Sequence, residues 1–180
     1  MKHLYYIRHG LSEGNKTQVW SGQQETPLAA EGHEQAKRAG AKAAQQGLSF
    51  DVIISSPLSR AQHTAQHVAR ATGYPIEDIV IMPELIERSF GELEGTVNKE
   101  AKEHYLKGEA GVDHYKNVER LVDLQWRTNE VLQALKARPE DTILIVGHGA
   151  FARTLRRSIE GVPLNVHVDP YPNGEIFKLI

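Results

Sequence analysis

The stretch Leu4-Tyr5-Tyr6-Ile7-Arg8-His9-Gly10 joins a short apolar run to two basic residues and a glycine. The apolar run is continuous rather than alternating, which is typical of a β-strand covered on both faces. Three later runs share this pattern, and a further strand is predicted at a sheet edge near residues 176–179. The three runs are Val52 to Ile54, Ile79 to Met82 and Thr142 to Val146.

Helical patterns separate most of these strands. The first, Glu31 to Gln46, carries a stripe of small residues and meets Gly47 as a stop signal. The second is predicted to begin with Ser56 as its N-cap and Pro57 at the first helical position, and to end at Gly73.

Two more helices are predicted in the C-terminal half of the chain. One runs from Val118 to Ala137 with an apolar stripe facing inward, and the other starts after Gly149. The inward residues are Leu121, Val122, Leu132 and Leu135. Strand alternating with helix predicts an α/β fold, a three-layer α/β/α arrangement whose mostly parallel sheet has helices on both faces.

Residues 1–180 are predicted to form a single domain. The segment 96–117 does not fit the alternation, because it is polar, mixed in charge and interrupted by Gly108 and Gly111. We expect it to be a short cap insertion that runs over the top of the sheet.

The composition excludes several classes of protein. The chain has no cysteine, so disulfides, thiolate catalysis and cysteine metal sites are excluded. The formal net charge of −2 argues against a nucleic-acid-binding surface. No apolar run approaches the roughly 20 residues of a membrane helix, and the N-terminal run is too short for a signal peptide. We therefore expect a cytoplasmic protein without nucleic-acid or membrane partners, and the sequence leaves its oligomeric state open.

Basic residues follow three of the predicted strands. In an open α/β sheet, ligands bind beyond the carboxyl ends of the strands. Arg8-His9-Gly10 follows the first strand, and Ser55-Ser56 follows the second, with Arg60 one turn into the helix beyond. Gly147-His148-Gly149 follows the fourth. Two arginines and two histidines from distant parts of the chain are therefore predicted at one rim.

These residue types suit phosphate chemistry. A guanidinium presents a planar fork to phosphate oxygens, and helix N-termini add backbone donors for an anion. A neutral histidine can act as a nucleophile and form a covalent intermediate. The residues therefore predict phosphoryl transfer through a phosphohistidine, with arginines neutralising the transferred oxygens.

The chain resembles the histidine phosphatase superfamily, also called the phosphoglycerate mutase-like family. The resemblance spans nearly the whole chain in the expected order. It rests on Arg8-His9-Gly10 with Ser12 and Asn15, Ser21-Gly22, Thr26-Pro27-Leu28, Gly32 with Gln35-Ala36, Ser55 to Ala61, Glu87 to Gly91 with Glu94-Gly95, and Val146 to Gly149.

The resemblance implies a role for each site residue. His9 would be the nucleophile that accepts the phosphoryl group, and Glu87 would be the proton donor. Arg8, Arg60 and His148 would hold the phosphoryl group, Asn15 would add a donor, and Ser21 or the Gly22 backbone would help. Three neighbouring carboxylates remain alternatives for the acid: Glu84, Glu92 and Glu94. No metal or organic cofactor is implied.

The sequence is compatible with three functions. The first is a phosphatase that hydrolyses a small phosphomonoester. The second is a cofactor-dependent phosphoglycerate mutase, although the family's mutases carry a longer insert with an adjacent arginine pair, which 96–117 lacks. The third is a non-catalytic module that binds a phosphorylated ligand or a protein, suggested by Leu11 and Gly14 where the family's pattern differs. We favour the phosphatase, and the sequence does not identify its substrate.

Other notable residues have structural interpretations that we favour. His63 and His67 are spaced as zinc ligands can be, but a third ligand is not evident, so a solvated helix face is preferred. The basic stretch after His148 is interpreted as exposed helix charge, and four aromatic residues are interpreted as packing rather than pocket residues. These residues are Arg153, Arg156 and Arg157, and Trp20, Tyr105, Tyr115 and Trp126.

Overall fold

The structure, a computed structural model, describes residues 2–180 and contains one five-stranded sheet in the order β3-β2-β4-β1-β5. The strands are β1 His3–Arg8, β2 Val52–Ser55, β3 Val80–Ile81, β4 Thr142–Gly147 and β5 Ile176–Lys178. Neighbouring strands are parallel except for β5, which is antiparallel to β1. The mostly parallel sheet is therefore confirmed.

Within residues 2–180, six α-helices connect or flank the strands. They are α1 Glu13–Lys16, α2 Ala30–Gln45, α3 Ser59–Thr72, α4 Lys99–Lys107, α5 Leu121–Ala137 and α6 Gly149–Glu160. Helix α3 ends at Gly73 in the left-handed conformation, as the sequence predicts. No helix among residues 2–180 combines the length and the apolar character needed to cross a membrane.

The side chains of the inner strands alternate between two separate cores. Helices α5 and α6 cover one face of the sheet, and helices α2 and α3 cover the other. The first face carries Leu4, Tyr6, Val52, Ile54, Ile143 and Ile145, and the second carries Ile7, Ile53, Leu144 and Val146. Burial on both faces explains the continuous apolar runs, since each fully buried aliphatic side chain contributes about 1.5–3 kcal/mol.

The small-residue stripe of α2 brings it close to α3. Ala36, Ala39, Gly40 and Ala43 are all buried, as predicted. A Cβ atom added at Gly40 would lie 2.8 Å from the Cβ of Ala71 and 3.0 Å from the Cα of Val68. The helix backbones therefore approach more closely than larger side chains would allow.

Four local predictions are wrong, and one is the start of α5, which is Leu121 rather than Val118. The run from Ile79 to Met82 forms only the two-residue edge strand β3, which pairs with β2 alone, and Ile81 is exposed. Helix α3 begins at Ser59 rather than Pro57, and Leu58 is its N-cap, while the Ser56 hydroxyl contacts His148 as well as the Leu58 amide. Val122 is exposed on α5 and does not face inward.

The segment 96–117 contains helix α4 and a short 3₁₀ turn, Glu109–Val112. Asn98 caps α4 by accepting a hydrogen bond from the Ala101 amide at 3.0 Å. Ala101 and Val112 are fully buried in the same core as α5 and α6. The segment therefore packs against the body of the protein rather than standing apart from it.

Candidate active site

The carboxyl ends of β1, β2 and β4 lie side by side. In the sheet register Arg8 is opposite Gly147, and Ser55 is opposite Val146. The residues that follow these strands therefore emerge at one rim, which brings His9 and His148 together with ring centroids 5.1 Å apart.

The two ring nitrogens of His9 have different partners. Nδ1 lies 2.7 Å from the carbonyl oxygen of Gly10, so it carries the hydrogen and donates. Nε2 lies 3.3 Å from Nε of Arg60, which donates to it. The lone pair of His9 is therefore on Nε2, on the side that faces Arg60.

Burial keeps His9 neutral. The side chain is almost fully buried, and this desolvation lowers the pKa of His9 well below its ordinary value. The nearby His148, Arg60 and Arg8 lower that pKa further, because like charges disfavour the protonated ring. A neutral imidazole is the form that can act as a nucleophile.

Backbone carbonyls hold the Arg60 guanidinium in place. Nη2 donates to the Gly22 carbonyl at 2.7 Å, and Nη1 donates to the Gln24 carbonyl at 2.8 Å. Gly22 has a φ of +45°, a left-handed backbone conformation that favours glycine. Burial lowers the pKa of Arg60, which nonetheless remains a cation at neutral pH.

Arg8 lies against the N-terminus of α6. A Cβ atom added at Gly149 would lie 3.2 Å from the Arg8 guanidinium carbon, so this glycine makes room for it. Arg8 Nη1 donates to the Tyr171 carbonyl at 3.2 Å, whereas its Nε has no partner among the described residues. Burial lowers the pKa of Arg8.

His148 is fully buried and bonded to Ser56. Its Nε2 lies 2.7 Å from the Ser56 hydroxyl oxygen, and within residues 2–180 its Nδ1 has no partner. Burial lowers the pKa of His148 well below its ordinary value, and Arg60 and Arg8 lower it further. The ring is therefore neutral, with one nitrogen available to a ligand.

Glu87 is the buried carboxylate of its segment. Its Oε1 accepts from the amides of Arg88 at 2.9 Å and Phe151 at 3.0 Å, and its Oε2 accepts from Ala150 at 3.1 Å. Two of these donors belong to the first turn of α6, where the helix dipole favours a negative group. Its charge acts on both Arg8 and Arg60, which places it beside the same rim.

The three alternative acids have other surroundings. Glu84 and Glu92 are exposed. Glu94 Oε1 accepts from the Gln23 amide at 3.1 Å and from the Phe90 amide at 2.8 Å, and its carboxylate lies against Gly22. Glu94 therefore braces the loop that holds Arg60.

The remaining predicted site residues lie on the loop around α1. Asn15 Oδ1 accepts from the Ser12 amide at 3.2 Å in a capping box, which leaves its amide nitrogen for other contacts. The hydroxyl of Ser21 is buried, without a hydrogen-bond partner in the described part of the chain, and lies where a Gly14 side chain would be.

The sequence analysis did not predict two residues that support this site. Asn173 Nδ2 donates to the His9 carbonyl at 2.7 Å, and Thr64 Oγ1 accepts from the Gly10 amide at 3.1 Å. Thr64 lies one helical turn after Arg60, so its place on the inner face of α3 is a usable signal. Asn173 is distant in sequence and carries no such signal.

The interpretation of the basic stretch as exposed charge is wrong for Arg153 and Arg157, whose side chains are 11% and 2% exposed. Arg157 is buried, and its Nη2 lies 3.0 Å from Oε1 of the buried Glu109. Arg153 Nε lies 3.1 Å from the same oxygen. Arg156 is more exposed and pairs with Glu160 one turn later.

Most of the aromatic residues pack, as predicted. Trp20 contacts Phe90 and Tyr105 with ring centroids 4.7 and 5.5 Å apart, and Tyr115 packs against the core. Trp126 differs, since it is 68% exposed on α5.

The fold and the site together define an α/β/α protein in which two buried histidines and two arginines lie together at one rim of the sheet. Residues 4–177 match the family model of the histidine phosphatase superfamily, branch 1. The chain belongs to this superfamily, whose phosphatases and mutases are enzymes.

The chain resembles both mutases and phosphatases. It is 32% identical over 173 residues to a 2,3-bisphosphoglycerate-dependent phosphoglycerate mutase of Brucella ovis, covering 88% of this chain and 82% of the relative. The alpha-ribazole phosphatase from Shigella flexneri matches with a TM-score of 0.78 at 28% identity, covering 97% of this chain and 88% of that one. A phosphoserine phosphatase from Entamoeba histolytica, in complex with 3-phosphoglyceric acid, matches with a TM-score of 0.79 at 25% identity. The match covers 98% of this chain and 89% of that chain.

Proposed function

We propose that the protein is a phosphatase that hydrolyses a small phosphomonoester through a phosphohistidine on His9. The observation that supports this most directly is the orientation of the His9 ring. Gly10 holds Nδ1, and the lone pair of Nε2 faces the Arg60 guanidinium inside a buried site. A phosphoryl group beside Arg60 is then within reach of a neutral nucleophile.

The reaction has two steps. His9 Nε2 attacks phosphorus and forms a P–N bond, while the ester P–O bond breaks and Glu87 gives a proton to the leaving oxygen. Water then attacks phosphorus, the P–N bond breaks, and Glu87 takes the proton from that water. Inorganic phosphate leaves, and the neutral His9 is restored.

The surrounding donors stabilise the charge on the transferred group. Arg8 and Arg60 neutralise its oxygens, and His148 donates from the nitrogen that Ser56 does not occupy. Asn15, Ser21 and the Gly22 backbone add further contacts on the α1 side. In this proposal the segment 96–117 is a cap of the single domain and selects the substrate's organic part.

Phosphoglycerate mutase is the second candidate, and the Brucella ovis relative favours it. In a mutase the phosphoryl group on His9 would return to the bound acid rather than pass to water. Such retention requires a firm hold on the substrate carboxylate. The segment 96–117 has lysines but no adjacent arginine pair, which favours hydrolysis.

The test measures phosphate release from a panel of phosphomonoesters that includes phenyl phosphate. We expect His9→Ala to lower kcat by about 10³-fold or more, whereas the control His167→Ala, an exposed residue outside segment 96–117, stays near the wild type. Trapping of an acid-labile phosphoenzyme in the wild type, but not in His9→Ala, would identify the intermediate.

The same run includes 3-phosphoglycerate. If 3-phosphoglycerate is converted to 2-phosphoglycerate with little release of free phosphate, the protein is a mutase and the phosphatase proposal is wrong. Absence of both activities on the whole panel would favour a binding module instead.

A further inference from the structure

Three histidines meet on the surface between α2 and α3, outside the candidate active site. His33 lies on α2, and His63 and His67 lie four residues apart on α3. The ring of His33 is 5.2 Å from that of His67 and 5.9 Å from that of His63, centroid to centroid. The structure therefore supplies the neighbouring ring that the sequence spacing of His63 and His67 left unidentified.

Two ring nitrogens in this cluster point at each other. Nδ1 of His33 lies 2.9 Å from Nε2 of His67, a hydrogen-bond distance at which one nitrogen carries the hydrogen and the other the lone pair. If that hydrogen moves to the other nitrogen of its own ring, both facing nitrogens carry lone pairs, and a rotation of each ring aims them at one point beside the line that joins them. No change in net charge is needed, because each ring stays neutral.

The separation suits a metal ion after a small adjustment. Zinc binds imidazole nitrogen at about 2.0–2.1 Å, so two ligands in tetrahedral geometry lie about 3.3 Å apart. The nitrogens must therefore separate by a few tenths of an ångström, and both rings must turn so that their lone pairs face the metal. Both side chains are half-buried and reachable from solvent, and His63 is exposed beside them.

The charges around the pair partly offset one another. Lys37 and Arg70 oppose a bound cation. Glu34 offsets this by pairing with Lys37 at 2.7 Å.

We propose that His33 Nδ1 and His67 Nε2 form a binding site for a divalent transition metal ion of the zinc, copper or nickel class, which imidazole ligands suit. In the part of the chain that the structure describes, no group of three or more potential ligands is arranged to hold a metal. The site therefore has two protein ligands, and water completes the coordination. This proposal does not depend on the phosphatase reaction.

A metal here would join two elements that support the candidate active site. Gly32, next to His33, packs directly against Gly10 and Leu11, and Thr64, next to His63, accepts a hydrogen bond from the Gly10 amide. A metal bound between α2 and α3 would hold these supports together. Its first measurable effect is a higher melting temperature.

Isothermal titration with ZnCl₂ tests the site directly. We expect one zinc ion per wild-type chain, and affinity lower by about tenfold or more in both His33→Gln and His67→Gln. His114→Gln is the matched control, because His114 belongs to another adjacent histidine pair, with His104 at 5.8 Å. It should bind zinc as the wild type does, and so should His9→Ala, whose change lies in the candidate active site.

Thermal unfolding provides the second measurement. ZnCl₂ should raise the melting temperature of the wild type, EDTA should reverse the rise, and neither glutamine variant should respond. Comparable melting temperatures without metal show that the variants fold. The proposal is overturned if the wild type binds no zinc, or if either glutamine variant binds it as tightly as the wild type.

Discussion

At the scale of single residues, the proposed role of His148 depends on which nitrogen of its ring carries the hydrogen. The Ser56 hydroxyl oxygen lies 2.7 Å from His148 Nε2 and also accepts from the Leu58 amide at 3.4 Å. A hydroxyl donates as well as accepts, so Ser56 can donate to Nε2 and leave the ring hydrogen on Nδ1. A proposed role of His148 as a donor to the phosphoryl group therefore depends on Ser56.

Replacing Ser56 tests this dependence. We expect Ser56→Ala to lower kcat by about 10- to 100-fold, because the His148 tautomer is no longer fixed and a transition-state donor is lost. Phosphate release from the best substrate gives the rate, and ¹⁵N NMR of the His148 ring gives the tautomer. Ser55→Ala is the control, since that hydroxyl donates to a backbone carbonyl and does not contact His148. An unchanged tautomer in Ser56→Ala would contradict the assignment.

Arg60 affects His9 through its charge. Because Arg60 is among the groups that lower the pKa of His9, Arg60→Met should raise that pKa, and burial should still keep it below the ordinary value. NMR titration of the His9 ring measures the shift. Arg70→Met, an exposed change near the end of the same helix, should leave the titration of His9 where it is in the wild type. A pKa of His9 that falls in Arg60→Met would refute this electrostatic account.

At the scale of elements, the sequence predicts best where burial alone governs the pattern. Strands β1, β2 and β4 are covered on both faces, so their apolar runs are continuous and their boundaries differ from the prediction by one residue at most. The start of α3 was predicted two residues too early, at a position where the Ser56 hydroxyl contacts His148 as well as the nearby Leu58 amide. Local capping rules cannot include His148, since it is 92 residues away from Ser56 in sequence.

The approach of α2 to the loop after β1 gives a prediction at this scale. A Cβ atom at Gly32 would overlap the backbone of Leu11, so Gly32→Ala must displace the loop that carries His9 or the start of α2. We expect a loss of stability of about 1–3 kcal/mol and a lower kcat. Urea unfolding and phosphate release measure the two effects. Gly108→Ala should not lower the stability, because a Cβ there has nothing within 4 Å and its φ of 172° suits any residue.

At the scale of the whole molecule, much of the candidate site follows from topology. Arg8, His9 and His148 adjoin parallel strand ends, so an α/β sheet must bring them to one rim. The hydrogen bond from Asn173 to the His9 carbonyl could not be predicted in this way. It depends on how the C-terminal segment folds back beside β1, and no local pattern encodes that path.

Burial of two neutral histidines also sets how the stability of the whole protein depends on pH. The pKa values of His9 and His148 are well below 6.5 in the folded state, whereas both titrate near 6.5 when unfolded. Well above pH 6.5 both rings are neutral in the folded protein and in the unfolded chain, so their titration costs the folded protein no stability. As the pH falls below it, the unfolded chain takes up protons that the folded protein excludes, so stability decreases until the folded-state pKa values are reached. Each histidine contributes a slope of up to about 1.4 kcal/mol per pH unit in this window, so the two together approach about 2.7 kcal/mol.

Urea unfolding between about pH 7.5 and pH 5 measures this slope. We expect His9→Gln to lower the slope by up to about 1.4 kcal/mol per pH unit, because the variant lacks a ring that is neutral in the folded protein and protonated in the unfolded chain. His114→Gln, which changes an exposed ring, should keep the wild-type slope. A slope that is the same in His9→Gln as in the wild type would mean that His9 is not held neutral by the fold. The proposal of a neutral nucleophile would then lose its physical basis, whatever the activity of the protein.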